Sequence, residues 1–361
     1  MKNIIKSNSK LKKKDGKLKK KVFLMSYLNK KIIIIDNSNL SYTGDDIDGT
    51  VVRGTEASLI LLAEQFIKMG IKVDYCNSIN HMKKVNGVNY FNKKDIDKNF
   101  TYNLAIAISD ANEFDRVTSI KKAVFSNSNQ PIEKFIRKNQ LIPFLKFKPT
   151  LITLCDYQFK KRSFFTSFYG KKTIPITVDP KFLNVKIDTN YLPERKAVYN
   201  IRSNRNLDKL IKIWCEKIFP INDEFKLYIT PGLIDYNDYH IDNNIFLRTL
   251  GSRSEMIDEL KNYRGLTYPG HKSDIFTLTA EEAIKLCLPV VTFGIGSLKE
   301  RVTHMETGFI AKNDQEFADY TIKLLNDDSF YLDLKRKMQK KRKENNWDFI
   351  ANKWAEYFLN E

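Results

Sequence analysis

The chain has 361 residues, 42% of them hydrophobic, and this length favours two domains at about 150 residues each. No apolar run approaches the ~20 residues of a membrane span, which excludes an ordinary membrane-spanning protein. The four cysteines are far apart in sequence, which predicts neither a Cys-x-x-Cys metal site nor a disulfide framework and fits a reducing cytosol. The net charge of +18 is uneven, because residues 1–31 carry +11 and the remaining 330 residues only +7.

The first segment, residues 1–28, is predicted to be a basic disordered tail. Its first 21 residues are mostly Lys, Asn, Ser and Gly, which are too polar to bury a core. Such a tail is attracted to anionic membranes or nucleic acid without sequence specificity. Two alternatives stay open: a solvated tail without a partner, or a protein that begins at Met25.

The next part of the chain alternates between predicted strands and helices. Lys31–Asp36 has the continuous apolar run of a buried parallel strand, and Arg53–Glu56 opens a helix with an apolar stripe. Further elements follow as strands at 71–76, 103–109, 121–126 and 150–155, with a helix at 131–139. This alternation predicts an α/β domain with a parallel sheet. Asp46-Ile47-Asp48 has the form of a metal-binding Asp-x-Asp, but no other ligand cluster supports it, and we reject a metal site there.

A proline-containing segment, Thr173–Pro180, is predicted to link two domains. The second domain then alternates in the same way, with strands at 197–200, 225–229 and 244–247. The loop after the first of these strands carries Arg202 and Arg205, whose forked guanidinium donors match the geometry of a phosphate. Gly251–Ser254 opens a later helix.

The stretch from Leu266 to Ala311 carries the chemistry. We expect a strand, a polar loop and a short helix capped by Thr279, with Glu282 completing a Thr-x-x-Glu capping box. A helix N-terminus suits a phosphate, and the nearby carboxylates of Asp274 and Glu282 suit sugar hydroxyls. This combination predicts a nucleotide-sugar site. The alternative is structural: Glu282 serves only as a cap and Asp274 only as a loop acid near the helix N-terminus.

These residues resemble the donor site of retaining glycosyltransferases of the GT-B architecture, in particular glycosyltransferase family 4. The family has Glu-x(7)-Glu-Ala before a Pro-Val-Val strand, and this chain has Asp274 to Glu282 at the same spacing, followed by Pro289-Val290-Val291. Asp274 replaces the first Glu and is one methylene shorter. Glu300-Arg301-Val302 and Thr307–Ala311 resemble the end of the family's motif.

The resemblance implies an α/β GT-B fold with two Rossmann-like domains that face each other across a cleft. Residues 29–180 would form the N-terminal acceptor domain, completed by a C-terminal helix at 345–361. Residues 181–344 would form the nucleotide-sugar donor domain.

The resemblance also implies roles for single residues. Asp274, Arg202 and Arg205 would be catalytic, with Asp274 facing the transferred sugar and the arginines stabilising the leaving diphosphate. Glu282 would hold the ribose hydroxyls. The other donor-binding positions would be Phe276, Thr277, Leu278, Thr279, Gly54, Ser252 and Arg253. Neither metal nor cofactor is expected, since the nucleotide-sugar is a substrate. Ser126–Asn129 lies where many relatives carry a histidine. This chain has none there, so no catalytic histidine is carried over from the family.

The predicted function is sugar transfer with retention of configuration, from a nucleotide-diphosphate sugar to a glycan, lipid or other acceptor. The expected location is cytoplasmic, or peripheral to a membrane through the tail. Two alternatives remain: a GT-B nucleotide-sugar epimerase or phosphorylase, and a non-catalytic binder of anionic membrane or nucleic acid.

Overall fold

The computed structural model describes residues 27–49, 52–128, 131–162, 169–230, 243–249 and 251–360. The predicted basic tail therefore lies outside the described residues, apart from its last two. Within the described ranges, no helix is both long and apolar enough to cross a membrane.

The first half of the chain forms an eight-stranded sheet in the order β3-β4-β2-β1-β5-β6-β7-β8, parallel except for β3 against β4. Its strands are β1 Lys31–Ile35, β2 Lys72–Asn77, β3 Lys83–Val85, β4 Val88–Asn92, β5 Thr101–Ile108, β6 Thr118–Phe125, β7 Thr150–Thr153 and β8 Lys171–Thr173. Its helices are α1 Gly54–Lys68, α2 Ile132–Arg137, α3 Leu141–Phe147 and α4 Asp156–Lys161.

Both faces of this sheet are covered, which explains why β1 is apolar at every inner position. Ile32 and Ile34 face one hydrophobic cluster, which α1 also joins, and Ile33 and Ile35 face another, which α2 and α3 join. The C-terminal helix packs against α1 in the first of these clusters, where Trp354 stacks on Phe125 at 6.5 Å between ring centroids.

The second half forms an all-parallel six-stranded sheet in the order β11-β10-β9-β12-β13-β14. Its strands are β9 Lys196–Tyr199, β10 Lys226–Ile229, β11 Ile245–Leu247, β12 Gly265–Thr267, β13 Val290–Thr292 and β14 Gly308–Ile310. The helices of this half are α5 Pro180–Asn184, α6 Leu207–Ile213, α7 Arg253–Leu260, α8 Leu278–Lys285, α9 Leu298–Arg301, α10 Asp314–Asn326 and α11 Asp328–Lys341, and α12 Trp347–Phe358 ends the chain. The predicted α/β architecture with two Rossmann-like parallel sheets is confirmed.

The predicted capping box at Thr279 is wrong. Helix α8 begins at Leu278, so Thr279 lies inside the helix and Thr277 is the N-cap residue. The Thr277 side chain hydrogen-bonds Ser297 Oγ at 2.9 Å and does not cap the helix. Glu282 therefore has no capping role, and the structural alternative for this residue is removed.

Candidate active site

Three loops meet at the carboxyl edge of the second sheet, after the neighbouring strands β9, β12 and β13. The loop after β13 supports the loop after β12, because Ser297 N donates to Asp274 O at 3.0 Å. Gly296 permits this close approach: its φ is +72°, and a Cβ there would lie 2.5 Å from His271 O. Backbone contacts thus fix the loop that leads into α8.

Glu282 lies in the second turn of α8 and is only 9% exposed. Its carboxylate makes no hydrogen bond or ion pair within the part of the chain that the structure describes. Burial raises the pKa of Glu282 to about 7, while Arg253 lowers it and Asp179 raises it further. Its oxygens are not among the fully buried atoms that lack a partner, so the carboxylate keeps some access to solvent and can accept hydrogen bonds from a ligand.

Arg253 begins α7 and pairs with Asp179 at 3.0 Å, which brings both groups close to Glu282. Ser252 forms a capping box with Glu255: the Ser252 Oγ accepts from Glu255 N, and Glu255 Oε2 accepts from Ser252 N at 2.7 Å. The N–H of Ser252 is therefore already used within α7. Of the two predicted donor-binding residues on this turn, Arg253 is the one whose charge acts on the pKa of Glu282.

Two helix N-termini lie close to each other across the domains. The predicted residues Gly54, at the start of α1, and Leu278, at the start of α8, are neighbours: a Cβ on Gly54 would lie 3.5 Å from Leu278 Cδ2. Neither helix has a side-chain cap. First-turn N–H groups such as that of Thr279 therefore keep no side-chain acceptor among the described residues, and an anion between the helices would meet two positive dipole ends.

The side chain of Phe276 packs between the two domains. It is 4% exposed and belongs to the hydrophobic cluster of the first domain, with the Arg301 guanidinium 4.4 Å from its ring centroid. At Phe276, as at Thr277 and Leu278, the side chain is occupied by protein contacts. A donor could meet these three positions only through their backbone.

Asp274, Arg205 and His271 form one cluster in the loops that follow β9 and β12. Arg205 Nη1 lies 2.7 Å from His271 Nδ1 and 3.9 Å from Asp274 Oδ1. Asp274 Oδ2 accepts hydrogen bonds from the Tyr268 hydroxyl and from His271 N. Burial and the hydrogen bond to Asp274 hold the pKa of Tyr268 well above its usual range. Within the described ranges, Asp274 Oδ1 keeps only the long contact with Arg205.

His271 was not predicted as a site residue. Its Nδ1 accepts a hydrogen bond from Ser273 N at 3.1 Å, so this nitrogen carries no hydrogen. The contact with Arg205 Nη1 is then a second hydrogen bond that Nδ1 accepts, and the ring hydrogen is assigned to Nε2. In the sequence it is one of four histidines in polar surroundings, and nothing nearby marks its pairing with an arginine 66 positions earlier.

Arg202 is brought near Arg205 but is not part of the cluster. The Tyr199 hydroxyl donates to the backbone oxygens of both Arg202 and Arg205, at 2.8 and 3.1 Å, and so shapes the loop after β9. The side chain of Arg202 is exposed. The two arginines thus differ in setting: Arg205 is held in a partly buried network, and Arg202 is solvated.

The first domain supplies the opposite wall. Asn127, which follows β6, accepts from Ser109 Oγ at 2.7 Å and donates to Thr55 Oγ1 at 3.5 Å. A cavity of about 590 Å³ opens between the domains here. Its wall includes Asn127, Ser128, Lys134 and Arg137 from the first domain and Arg205 and Ser273 from the second. The lining also includes one carboxylate, Glu133, against the cations Lys134, Arg137 and Arg205, so the cavity wall carries a net positive charge.

Asp46 and Asp48, the rejected metal motif, have other partners. Asp46 Oδ2 accepts from Thr43 N at 2.7 Å, and Asp48 pairs with Lys181 at 2.5 Å. Among the residues that the structure describes, no group of three or more His, Cys, Asp or Glu is arranged to hold a metal ion.

Comparison with known proteins gives one family match. The family described as glycosyl transferases group 1 matches residues 237–345, which include β12, α8 and β13. No curated protein matches the chain.

Several solved structures are similar to the whole fold. HepE from Anabaena, in complex with UDP, is 15% identical with a TM-score of 0.66, and the match covers 91% of this chain and 99% of that chain. Sucrose-phosphate synthase from Thermosynechococcus elongatus is 12% identical with a TM-score of 0.66, covering 92% and 98%.

TarM from S. aureus, in complex with UDP, is 18% identical with a TM-score of 0.55. The match covers 71% of this chain and 55% of TarM, so the chain spans about half the length of that protein. At these identities the similarity establishes the fold, which is GT-B. The family match over the second domain, together with this fold, supports a glycosyltransferase.

Proposed function

We propose that the protein transfers a sugar from a nucleotide-diphosphate sugar to an acceptor with retention of anomeric configuration, as members of glycosyltransferase family 4 do. The observation that carries the proposal is Glu282. It is buried at the carboxyl edge of the second sheet, and within the described residues its carboxylate has no partner. A pair of ribose hydroxyls would supply the two donors that this carboxylate lacks.

The diphosphate would lie between the two uncapped helix ends. The N–H groups at the start of α8 and α1 and the guanidinium of Arg205 supply positive charge there. Charge builds on the leaving diphosphate as the glycosidic bond breaks, and donors that are already oriented stabilise that charge without reorganising. Arg202 would add a solvated cation at the edge. No cofactor enters this scheme, because the nucleotide-sugar is itself the substrate.

The transferred sugar would lie against Asp274. Asp274 Oδ2 is held by the Tyr268 hydroxyl and His271 N, which orients the carboxylate, while Oδ1 is free to accept a sugar hydroxyl. Gly54 would let the donor approach the start of α1 closely. The acceptor would enter from the cavity beside Asn127.

Replacing Glu282 with Gln tests the ribose role. Gln keeps one acceptor but presents an NH₂ donor at the second position, so we expect donor affinity to fall by about 1.5–3 kcal/mol. UDP and UDP-sugars are the first probes, because HepE and TarM were each solved with UDP. The measurement is isothermal titration, paired with thermal unfolding to follow the fold.

Glu281→Gln is the matched control. Glu281 is the adjacent residue of α8 and equally buried, but it pairs with Lys285 at 3.3 Å, whereas Glu282 has no partner among the described residues. It should change stability but not donor affinity. Equal UDP affinity in Glu282→Gln and wild type would contradict the ribose role.

The anomeric outcome needs a separate measurement. The donor screen also includes GDP-, ADP- and CMP-sugars. The product formed from an α-linked donor is then examined by NMR, and retention predicts that this product is α-linked. A β-linked product would contradict retention. UDP release with an altered free sugar and no transfer product would favour the epimerase, and phosphate-dependent cleavage the phosphorylase.

A further inference from the structure

Helices α2 and α3 are apolar on two faces. Their inner face is buried, and there Phe135 and Phe144 meet edge to face with 4.8 Å between ring centroids. Their outer face exposes Ile136 by 59% and Ile142 by 75%. A helix on the surface of a globular domain normally keeps one apolar stripe and a polar outer side, so a second apolar side indicates a surface that is covered by something else.

The outer apolar side chains form a set rather than single residues. Leu141 and Leu145 are exposed by 46% and 51%, on the same short pair of helices as Ile136 and Ile142. All four are aliphatic. We call the surface formed by residues 131–148 the α2–α3 face.

Cations surround this apolar set. Residues 131–148 contain five Lys or Arg and a single carboxylate, Glu133. Arg137, Lys138 and Lys148 are exposed, and Lys146 is paired with Asp115 at 2.5 Å. The partner of this face must therefore accept both aliphatic side chains and a dense positive charge.

We propose that the α2–α3 face binds the surface of an anionic lipid bilayer. Aliphatic side chains would enter the boundary between headgroups and acyl chains, and the lysines and arginines would meet the anionic headgroups. The proposal concerns a folded surface of the first domain and does not depend on the basic tail.

Two other binding partners fit the α2–α3 face less well. A second copy of the chain, docked by twofold symmetry, would bring the same five cations together across the interface, and like charges repel. Nucleic acid would suit the charge, but single strands bind by stacking on aromatic rings, and the exposed apolar residues here are Ile and Leu.

The face borders the cleft. Lys134 and Arg137 of α2 line the cavity that Arg205 lines from the second domain. A bilayer bound at this face would therefore lie beside the cavity, within reach of a membrane-presented acceptor, a consequence that rests on the proposed transfer function. Vesicle binding itself needs no transfer activity, so the two proposals can fail separately.

The experiment is co-sedimentation of the full chain with phosphatidylcholine vesicles, with and without phosphatidylglycerol. We expect Ile136→Ser/Ile142→Ser to weaken binding to the anionic vesicles roughly tenfold or more, through loss of buried apolar area. The matched control is Met82→Ser/Ile221→Ser, which removes two side chains exposed by 75% and 62% elsewhere on the molecule and should leave binding unchanged.

The charge is tested in the same way. Lys138→Gln/Lys148→Gln should also weaken binding at least tenfold, since each cation near an anionic surface contributes about a factor of five. The control is Lys84→Gln/Lys94→Gln, at the opposite edge of the first sheet. Every variant keeps the basic tail, so the tail's contribution is the same in each.

Insertion of the face itself is read by fluorescence. Ile142→Trp should be quenched by lipids with brominated acyl chains, and Ile221→Trp should not. The proposal is wrong if Ile142→Trp is not quenched, if neutral vesicles bind equally well, or if the wild-type chain does not bind. Self-association that disappears in Ile136→Ser/Ile142→Ser would identify a second copy as the cover and would also overturn it.

Discussion

Glu282 combines burial with a pKa raised to about 7, so its protonation changes within the pH range in which most assays run. The ionised form offers two acceptors to a ribose, whereas the protonated form offers one acceptor and one donor. At a pH below this pKa, the Glu282 carboxyl must therefore lose its proton when a donor binds. We expect the affinity for a UDP-sugar to be roughly tenfold weaker at pH 6 than at pH 8.

The measurement is titration of a UDP-sugar, whose diphosphate does not itself take up a proton in this range, into wild type and Glu282→Gln. The variant has no carboxyl to titrate at this position and should lose most of the pH dependence. A wild-type affinity that is flat between pH 6 and pH 8 would argue against donor binding at Glu282.

The ionisation of Glu282 also makes the stability of the fold depend on pH. Its folded pKa is raised above the ordinary value of 4.5, so its contribution to stability is fully present below about pH 4.5 and is lost as the pH rises through about 7. Glu282→Gln removes the buried charge. We expect the variant to be more stable than wild type at pH 8, by on the order of 1–3 kcal/mol, with a smaller gain at pH 5. Urea unfolding at the two pH values measures this difference.

Arg205 and Arg202 should differ in their effect on UDP binding. A charge-assisted hydrogen bond contributes about 1.5–3 kcal/mol, so Arg205→Ala should weaken UDP binding roughly tenfold to hundredfold. Arg202 is solvated, and its substitution should have a smaller and more salt-sensitive effect. Lys209→Ala is the control, because Lys209 is a cation on the following helix whose partner is Asp314. A larger loss from Arg202→Ala than from Arg205→Ala would reverse these assignments.

At the scale of elements, the sequence was informative where one pattern dominates. β1 was predicted from its continuous apolar run, because a strand buried on both faces requires one, and β13 from the resemblance of Pro289-Val290-Val291 to the family's strand. The β3–β4 hairpin and α4 were missed, since each is short and mixes charged with apolar residues. The cap of α8 was predicted wrongly, because the helix begins at Leu278, before the predicted cap Thr279. The actual N-cap residue, Thr277, uses its hydroxyl to bond Ser297 on another loop, a tertiary contact with no local signal.

Helix α4 joins the two domains through its N-terminus. Asp156 N and Tyr157 N donate to the Glu300 carboxylate of the second domain, at 3.0 and 2.5 Å, and Cys155 Sγ donates to Ile275 O at 2.7 Å. A carboxylate at an exposed helix N-terminus contributes about 0.3–1 kcal/mol. Glu300→Gln should therefore accelerate hydrogen exchange of the Asp156 and Tyr157 amides by up to about fivefold.

Glu306→Gln provides the comparison for this prediction. Glu306 is also an exposed glutamate of the second domain, but its partner is Lys341, 2.6 Å away within the same half of the chain. Its substitution should leave the α4 amides unchanged. If both variants exchange alike, the Glu300 contact does not tie the domains together at this helix.

At the scale of the whole molecule, the sequence predicted the two sheets but not how their edges meet. Spacing within one motif linked Asp274 to Glu282, which are eight residues apart. The contact of Gly54 with Leu278 joins positions more than 200 residues apart, and so does the burial of Phe276 in the first domain's core. Such contacts form only when the two folded domains pack against each other, and no local sequence pattern encodes that packing.

The uneven charge of the whole chain leads to the last prediction. Residues 1–31 hold +11 of the net +18, and the α2–α3 face adds a second cationic surface on the folded domain. Deleting residues 1–21 should lower vesicle binding mainly at low salt, because a polar cationic tail acts through screened charge. The deletion should leave UDP affinity and transfer to a soluble acceptor unchanged, since the described residues that form the cleft are all retained.

The deletion and the substitutions on the α2–α3 face can be compared at two salt concentrations. Binding that persists at high salt in the deletion variant, yet is lost in Ile136→Ser/Ile142→Ser, would assign the salt-resistant part to the apolar face. That result is expected because burial of apolar side chains is not screened by ions, whereas attraction between solvated charges is. A large fall in turnover on a soluble acceptor after deletion would instead mean that the tail contributes to the reaction.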